Sequence, residues 1–323
     1  MLRRLLAIFE PFVLALLGTV LVATFLPARG TAANAFAWLT DAGIVLLFFL
    51  HGAKLSREAI VAGARNLRLH LAVLASTFVL FPLLGLGLSA LPVFSPEMAR
   101  GLLFLTLLPS TVQSSIAFTA IARGNVAAAV CSASFSNLLG MVITPALVTL
   151  LMTGADGNVG ISAGTLRTIA LQLLLPFALG HLLRPWVGGF VGRHKKLVTL
   201  VDRGSILLVV YTAFSAAVIE GLWLHVSGVD FALLLLACSL LLALVIAITW
   251  WSGRRLGLSR EDAVVLLFCG SKKSLASGVP MAGALFPAAQ VGAVILPLMM
   301  FHQIQLIVCA FIARRMMSED QRT

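Results

Sequence analysis

Phe268-Cys269-Gly270-Ser271-Lys272-Lys273-Ser274-Leu275-Ala276-Ser277-Gly278-Val279-Pro280 lies inside an apolar segment, at about 264–286, that is long enough to cross a bilayer. Two adjacent lysines sit near its middle. Each costs roughly 2.5–3.5 kcal/mol at the centre of a membrane helix, so a chain keeps such a residue only where protein or water surrounds it. The serines offer hydroxyls that compete for backbone hydrogen bonds, Gly278 weakens a helix and Pro280 removes a donor. Together they predict a broken helix rather than a plain span, the device with which many secondary transporters build a site at the midplane.

Composition agrees with a membrane setting. Of 323 residues 60% are hydrophobic and only 11% charged, and the mean hydropathy is +1.05, which excludes a soluble globular domain and implies an all-α, multi-pass membrane protein. The net charge of +11 is spread in short basic clusters between apolar runs, with no basic stripe or aromatic reading surface, so nucleic acid is not expected as a partner. Cys131, Cys238, Cys269 and Cys309 all fall in apolar runs at spacings that match no zinc pattern, and read as buried, inert thiols. Met1-Leu2-Arg3-Arg4 followed by an apolar run resembles a signal peptide, but that run is long for one and is read as a first membrane helix.

Apolar runs occur at roughly 8–27, 35–52, 69–91, 101–121, 126–151, 161–183, 203–223, 231–251, 262–286 and 289–313. Alternate connections together with the two termini collect eighteen of the 23 lysines and arginines, the opposite connections hold only Arg29, Arg100 and Arg167, and the remaining two are Lys272 and Lys273. That asymmetry predicts ten spans with both termini in the cytoplasm; the membrane expected is a bacterial inner membrane. The glycine-rich loop at 152–160 divides the chain into halves, 1–155 and 156–323, of five spans each. An odd number of spans per half forces opposite orientations, the arithmetic of an inverted repeat. The fourth run of each half carries a polar interruption, Pro109-Ser110-Thr111-Val112-Gln113-Ser114-Ser115 in the first and the lysine stretch in the second.

Several of these polar residues are candidates for chemistry. Ser110, Thr111, Gln113, Ser114 and Ser115 concentrate oxygens behind Pro109, suited to a hard monovalent cation or a wet substrate path. The fifth run, entered through Arg123-Gly124-Asn125, holds Ser132, Ser134, Ser136 and Asn137. Ser132 and Ser136 share a helix face with Leu139 and Gly140 while Ser134 points elsewhere, and small residues of this kind also serve plain helix packing. His302-Gln303-Ile304-Gln305 follows Pro297 in the last run, where a histidine relays protons or makes an interhelical hydrogen bond. His51, His70, His194 and His225 lie at run ends or in loops and carry no expected role; His181 reads as interfacial. No acid falls in mid-membrane, so Lys272 and Lys273 have no evident carboxylate partner, and an unpaired buried ammonium either loses its proton or attracts an anion. Successive helix positions point about 100° apart, so one lysine is expected to face the site and the other to pack on hydroxyls or carbonyls.

At Ala122-Arg123-Gly124-Asn125-Val126-Ala127, the polar stretch before it, the serine-rich 132–137, Thr144-Pro145-Ala146 and Phe268-Cys269-Gly270-Ser271-Lys272-Lys273-Ser274, the chain resembles the bile acid:sodium symporter superfamily, in its SBF-like branch. The resemblance implies ten transmembrane helices in two inverted five-helix repeats. A core of spans three to five and eight to ten would move against a panel of spans one, two, six and seven, with the broken spans four and nine crossing. It also implies sodium ligands at Ser114, Ser115 and Asn137, with others among Ser132, Ser134 and Ser136. The acidic sodium ligand of that family does not carry over, its place falling on Phe268 or Cys269, and the family's glutamine falls on Lys272 or Lys273. One negative charge lost and positive charge gained is incompatible with two intact sodium sites.

The expected function is therefore a secondary active transporter of an organic anion working by alternating access, with a lysine in sodium's place and sodium or a proton as the only coupling ion in question. The alternatives are a cation/proton antiporter and a non-transporting membrane sensor. No enzyme motif such as H-E-x-x-H or G-x-S-x-G occurs and no cofactor is expected. The expected partners are the small anion and the lipid bilayer. The candidate contacts are Gln113, Ser114, Ser115, Asn125, Ser132, Ser134, Ser136, Asn137, Lys272, Lys273, Ser274, His302 and Gln303.

Overall fold

The computed structural model describes residues 11–54, 66–152, 167, 169–221, 223 and 227–320, and within them each apolar run coincides with a helix or with an interrupted pair of helices. In chain order these are α1 (Pro11–Phe25), α2 (Gly30–Lys54), α3 (Leu67–Ser89), α4 (Pro96–Leu107), α5 (Gln113–Ile121), α6 (Val126–Met152) and α7 (Ala170–Leu182). There follow α8 (Arg184–Arg193), α9 (Lys195–Ile219), α10 (Gly228–Arg255), α11 (Arg260–Gly270), α12 (Leu275–Leu285) and α13 (Ala288–Asp320). No strand occurs among the described residues. Six helices, α2, α3, α6, α9, α10 and α13, are each long and apolar enough to cross a membrane, and α7 with α8, bent by 91°, makes a seventh if the pair is taken as one span. The chain is an all-helical, multi-pass membrane protein. Arg3, Arg4, Glu10, Arg57, Arg65, the loop at 153–160, His225 and Arg322 lie outside the described residues.

The helices form two compact units, each drawn from both ends of the sequence. One holds α1, α2, α7, α8, α9 and residues 279–295. Its tightest packing joins α2 to α7 through glycine, because a Cβ on Gly52 would lie 2.0 Å from the Phe177 carbonyl oxygen and one on Gly180 2.0 Å from that of Phe49. Backbones that approach this closely make up in van der Waals contact what lipid withholds in hydrophobic drive. Thr40 and Thr212 share a hydroxyl hydrogen bond of 2.8 Å between α2 and α9, and Lys54, the last residue of α2, pairs with Asp202 of α9. The helix α8 turns Val191 onto Leu50, Ala53 and Val198 and leaves Trp186 exposed, the orientation of an interfacial helix with an aromatic anchor.

The other unit holds α3 to α6, α10, α11, α12 as far as Gly278, and α13 from Leu296 onward. Three of its helix N-termini meet at one carboxylate. Asn66 caps α3 by accepting from the Leu69 amide, and Asn125 caps α6 by accepting from that of Ala128. The side-chain amides of both donate to Asp262, at 2.6 and 2.9 Å, in the first turn of α11, itself capped by Ser259. Three positive helix ends and one negative charge are mutually stabilising. The turn into α6 suits this geometry: Arg123 adopts the left-handed conformation (φ 55°), and a Cβ on Gly124 would meet Val264 at 2.6 Å. Asp262→Ala is expected to cost about 2–4 kcal/mol by removing two charge-assisted bonds and loosening two caps. Thermal unfolding in detergent measures this, and an unchanged melting point would mean that the asparagines cap their helices unaided.

Prolines shape the two helices that matter most to the site. In α3 the segment Ser76–Leu80 is a π turn in which the Phe81 amide bonds to the Ser76 carbonyl. In that register the Thr77 carbonyl would be served by residue 82, which is proline and has no N–H to give. In α4 the helix stops before Pro109, with Leu108 extended (ψ 155°), as the residue preceding proline prefers. Both prolines leave backbone carbonyls without helical partners.

Candidate functional site

Two breaks, 108–112 between α4 and α5 and 271–274 between α11 and α12, lie against each other, joined by a backbone hydrogen bond of 2.9 Å from the Ser274 amide to the Pro109 carbonyl. A helix that ends in a dry interior has four carbonyls to satisfy. At the end of α11 each is taken by a different serine. Ser271 Oγ donates to the Leu267 carbonyl (2.5 Å), Ser115 Oγ to Phe268 (3.0 Å), Ser110 Oγ to Cys269 (2.6 Å) and Ser76 Oγ to Gly270 (2.7 Å). In the first break, Thr144 Oγ1 donates to the Leu107 carbonyl (2.8 Å), Asn137 Nδ2 to Ser110 (2.7 Å), and the Ser110 amide donates to Ser136 Oγ (2.9 Å). Ser277 Oγ donates to Asn137 Oδ1 at 2.7 Å, and Ser274 Oγ accepts from the Ser277 amide to cap α12. The irregular backbone is thus satisfied by side chains from α3, α5 and α6 and by serines of the breaks themselves.

Lys273 completes this accounting. Its Nζ donates to the carbonyls of Thr77 (2.8 Å), Thr106 (2.8 Å) and Leu108 (2.6 Å), three oxygens for the three hydrogens of an ammonium, with the Phe81 ring 4.1 Å away. These are the carbonyls released by the π turn before Pro82 and by the stop at Pro109. The Lys273 backbone is held by Gln305 of α13: its amide donates to Oε1 (2.9 Å) and its carbonyl accepts from Nε2 (2.9 Å). Nε2 also lies 2.8 Å from His302 Nδ1.

Lys272 is equally buried, yet among the described residues its only hydrogen bond is a long one, 3.4 Å to Ser114 Oγ. Its Nζ lies 4.3 Å from the Phe118 ring centre and 5.6 Å from that of Phe268. Neither lysine meets a carboxylate among the described residues. One ammonium is thus fully coordinated and the other is held by ring faces and half a hydroxyl. Both rings belong to an apolar cluster that includes Cys309 and Ala313.

Of the residues expected at a site, Ser114, Ser115, Ser136, Asn137, Lys272, Lys273 and Ser274 gather at the two breaks. Ser132 lies deeper along α6, where its hydroxyl bonds to His70 at 2.7 Å; His70, expected to stand apart at a run end, is buried. Asn125 serves the Asp262 cluster instead. Gln113, the first residue of α5, has an exposed side chain, and Ser134 is turned off the buried face, as its helical position predicts. Leu139, expected on the Ser132 face, is 37% exposed. His302 reaches the break through Gln305, whereas Gln303 makes no bond to it. The break falls ahead of Gly278 and Pro280, which lie within α12. Gly278 is there for packing, since a Cβ would meet Leu108 at 2.5 Å and Leu298 at 2.7 Å. Sequence reasoning missed Thr77, Thr106, Thr144, Ser76 and Gln305. The available signals were Pro82, Pro109 and the i, i+3 spacing of His302 and Gln305.

Residues 10–318 match the profile of the SBF-like CPA transporter family. A Pseudomonas aeruginosa protein named "Uncharacterized protein PA2026" is 58% identical over 95% of this chain and 92% of its own length. "Putative symporter YfeH" of Escherichia coli is 54% identical over 97% and 94%. "Sodium/bile acid cotransporter 7" of Danio rerio is 27% identical over 90% of each chain.

Proposed function

Because the chain belongs to the SBF-like CPA transporter family and is a membrane transporter rather than an enzyme, we propose that it is a secondary active carrier. On this reading it moves an organic anion by alternating access, its site is the crossing of the α4/α5 and α11/α12 breaks, and Lys273 stands where related carriers hold sodium. The observation that carries the reading is the pair of buried lysines at two touching helix breaks, with no carboxylate beside them among the described residues. A cage of three carbonyls is cation chemistry, and here an ammonium of the chain itself fills it. Of the expected sodium ligands Ser114, Ser115 and Asn137, the last two donate hydrogen bonds to backbone carbonyls and Ser114 Oγ accepts from Lys272. Lys272, with one long hydrogen bond and a positive charge to offset, has the chemistry to meet an anion.

The finer architecture is proposed on the same footing: ten spans, in repeats at 1–155 and 156–323 of opposite orientation, with both termini in the cytoplasm of a bacterial cell. Two features support it. Ten apolar runs correspond to helices or interrupted pairs, and the two compact units divide the chain as the panel and core of such a carrier would.

Purified protein in liposomes, loaded with an unlabelled organic anion and offered the labelled one, is expected to show counterflow without sodium; taurocholate is a first probe, with smaller carboxylates beside it. Melting temperatures in sodium chloride and choline chloride at equal ionic strength are expected to coincide. Sodium-specific stabilisation of the wild type would refute the lysine substitution, and a protein without counterflow for any anion would be a sensor rather than a carrier.

A further inference from the structure

We propose that His302 is the binding site of a coupled proton and that Gln305 makes this proton's arrival incompatible with the closed form of the α11/α12 break. The proposal rests on the carrier reading and adds to it a coupling ion, a residue and a route.

The hydrogen-bond directions are fixed one after another. The Lys273 amide can only donate, so the Gln305 atom 2.9 Å from it is the oxygen, and the atom facing the Lys273 carbonyl is Nε2. The second hydrogen of Nε2 then points at His302 Nδ1, 2.8 Å away. That nitrogen must present its lone pair, so His302 is the neutral imidazole with its hydrogen on Nε2. Gln305 is fully buried. A proton on Nδ1 would set two donors against each other at hydrogen-bond distance, with no room for water between them. Turning the Gln305 amide over would relieve His302 but oppose donor to donor and acceptor to acceptor at the Lys273 backbone. Protonation of His302 therefore works against the Gln305 clasp, and by linkage whatever opens the clasp favours the proton.

The charged groups facing His302 are Lys272, which acts on it electrostatically from the break, and Lys273, whose backbone lies beside it. The thiols of Cys269 and Cys309 lie around Lys272, and no carboxylate faces this group among the described residues. The Lys272 ammonium opposes a further positive charge at His302. An anion arriving at Lys272 removes part of that opposition, so anion and proton load together, which is the requirement of symport.

The test uses the full chain in detergent from about pH 8 down to about pH 3.5, with two readouts: the protonation state of His302 by nitrogen NMR of labelled imidazole, and hydrogen exchange of the backbone amides at 271–278, corrected for the intrinsic effect of pH. In the wild type at high pH His302 is expected as the Nε2–H tautomer with slow exchange at the break. On acidification the proton should arrive in the same step in which exchange rises, by at least about tenfold for the loss of two buried hydrogen bonds. In His302→Gln, which keeps an acceptor toward Gln305 but does not titrate, exchange should stay slow throughout. In Gln305→Leu it should be fast at every pH. Protonation of His302 with the break still closed, acid-induced opening that persists in His302→Gln, or a His302 that stays neutral across the range each overturns the proposal. Counterflow of labelled taurocholate and the smaller carboxylates, run beside these, separates the two readings. Its absence in wild type removes the carrier, while loss of drive by a pH gradient in His302→Gln is the result expected of a coupling residue.

Discussion

Lys273→Ala is expected to melt well below the wild type and, unlike the wild type, to be rescued in part by sodium. The substitution leaves the carbonyls of Thr77, Thr106 and Leu108 without a donor. Buried acceptors stripped of their partner cost about 1–3 kcal/mol each, and breaking up a buried charged cluster typically costs 3–5 kcal/mol, so a loss on the order of 3–5 kcal/mol is expected in total. The vacated space is lined by three converging oxygens beside the Phe81 ring. A small monovalent cation entering it would restore about 1–3 kcal/mol at saturating concentration by mass action on the folded state. The measurement is the melting temperature of the variant in sodium chloride against choline chloride. Equal melting in the two salts would show that the cage is an ordinary hydrogen-bond site and not a cation site already filled.

Lys272→Met should behave in the opposite way. The methionine keeps the contacts with Phe118 and Phe268, and the ammonium it replaces makes one long hydrogen bond. Removing a poorly satisfied buried charge is nearly neutral for folding, so the melting temperature should stay within the equivalent of about 1 kcal/mol of the wild type. Anion counterflow should fall by about 10–100-fold, the worth of a charge-assisted contact to the substrate. A variant that transports normally would remove Lys272 from the site, and one that unfolds would give it a structural role instead. The pair of substitutions thus separates a lysine that stands in for an ion from one that meets the cargo.

The lysines could be singled out from the sequence because charge in an apolar segment is expensive wherever it falls, and no knowledge of neighbours is needed to see that. Pro109 announced the first break for an equally local reason. The partners of Lys273 were not legible. Thr77 offers its carbonyl only because a π turn displaces the helical register by one residue ahead of Pro82, and the sequence marks the proline without marking the turn. Gln303 was chosen as a site residue for standing beside His302 in sequence, while the helix brings Gln305 beside it in space. Asn125 looked like a ligand because it is polar and close to the serines. Its amide in fact caps α6 and reaches Asp262, a contact 137 residues away that local reasoning cannot supply.

That distance has a consequence for how the protein is made. When α3 to α6 leave the ribosome and enter the bilayer, the asparagines that will share Asp262 and the three carbonyls that will hold Lys273 already exist, but their partners lie 137 to 196 residues further along the chain. The early helices must wait in lipid with exposed polar backbone, a condition in which translocon, chaperone or quality-control protease can act on them. Substitutions at Asp262 or Lys273 would then reduce the amount of protein that reaches the membrane, before any deficit in transport is felt.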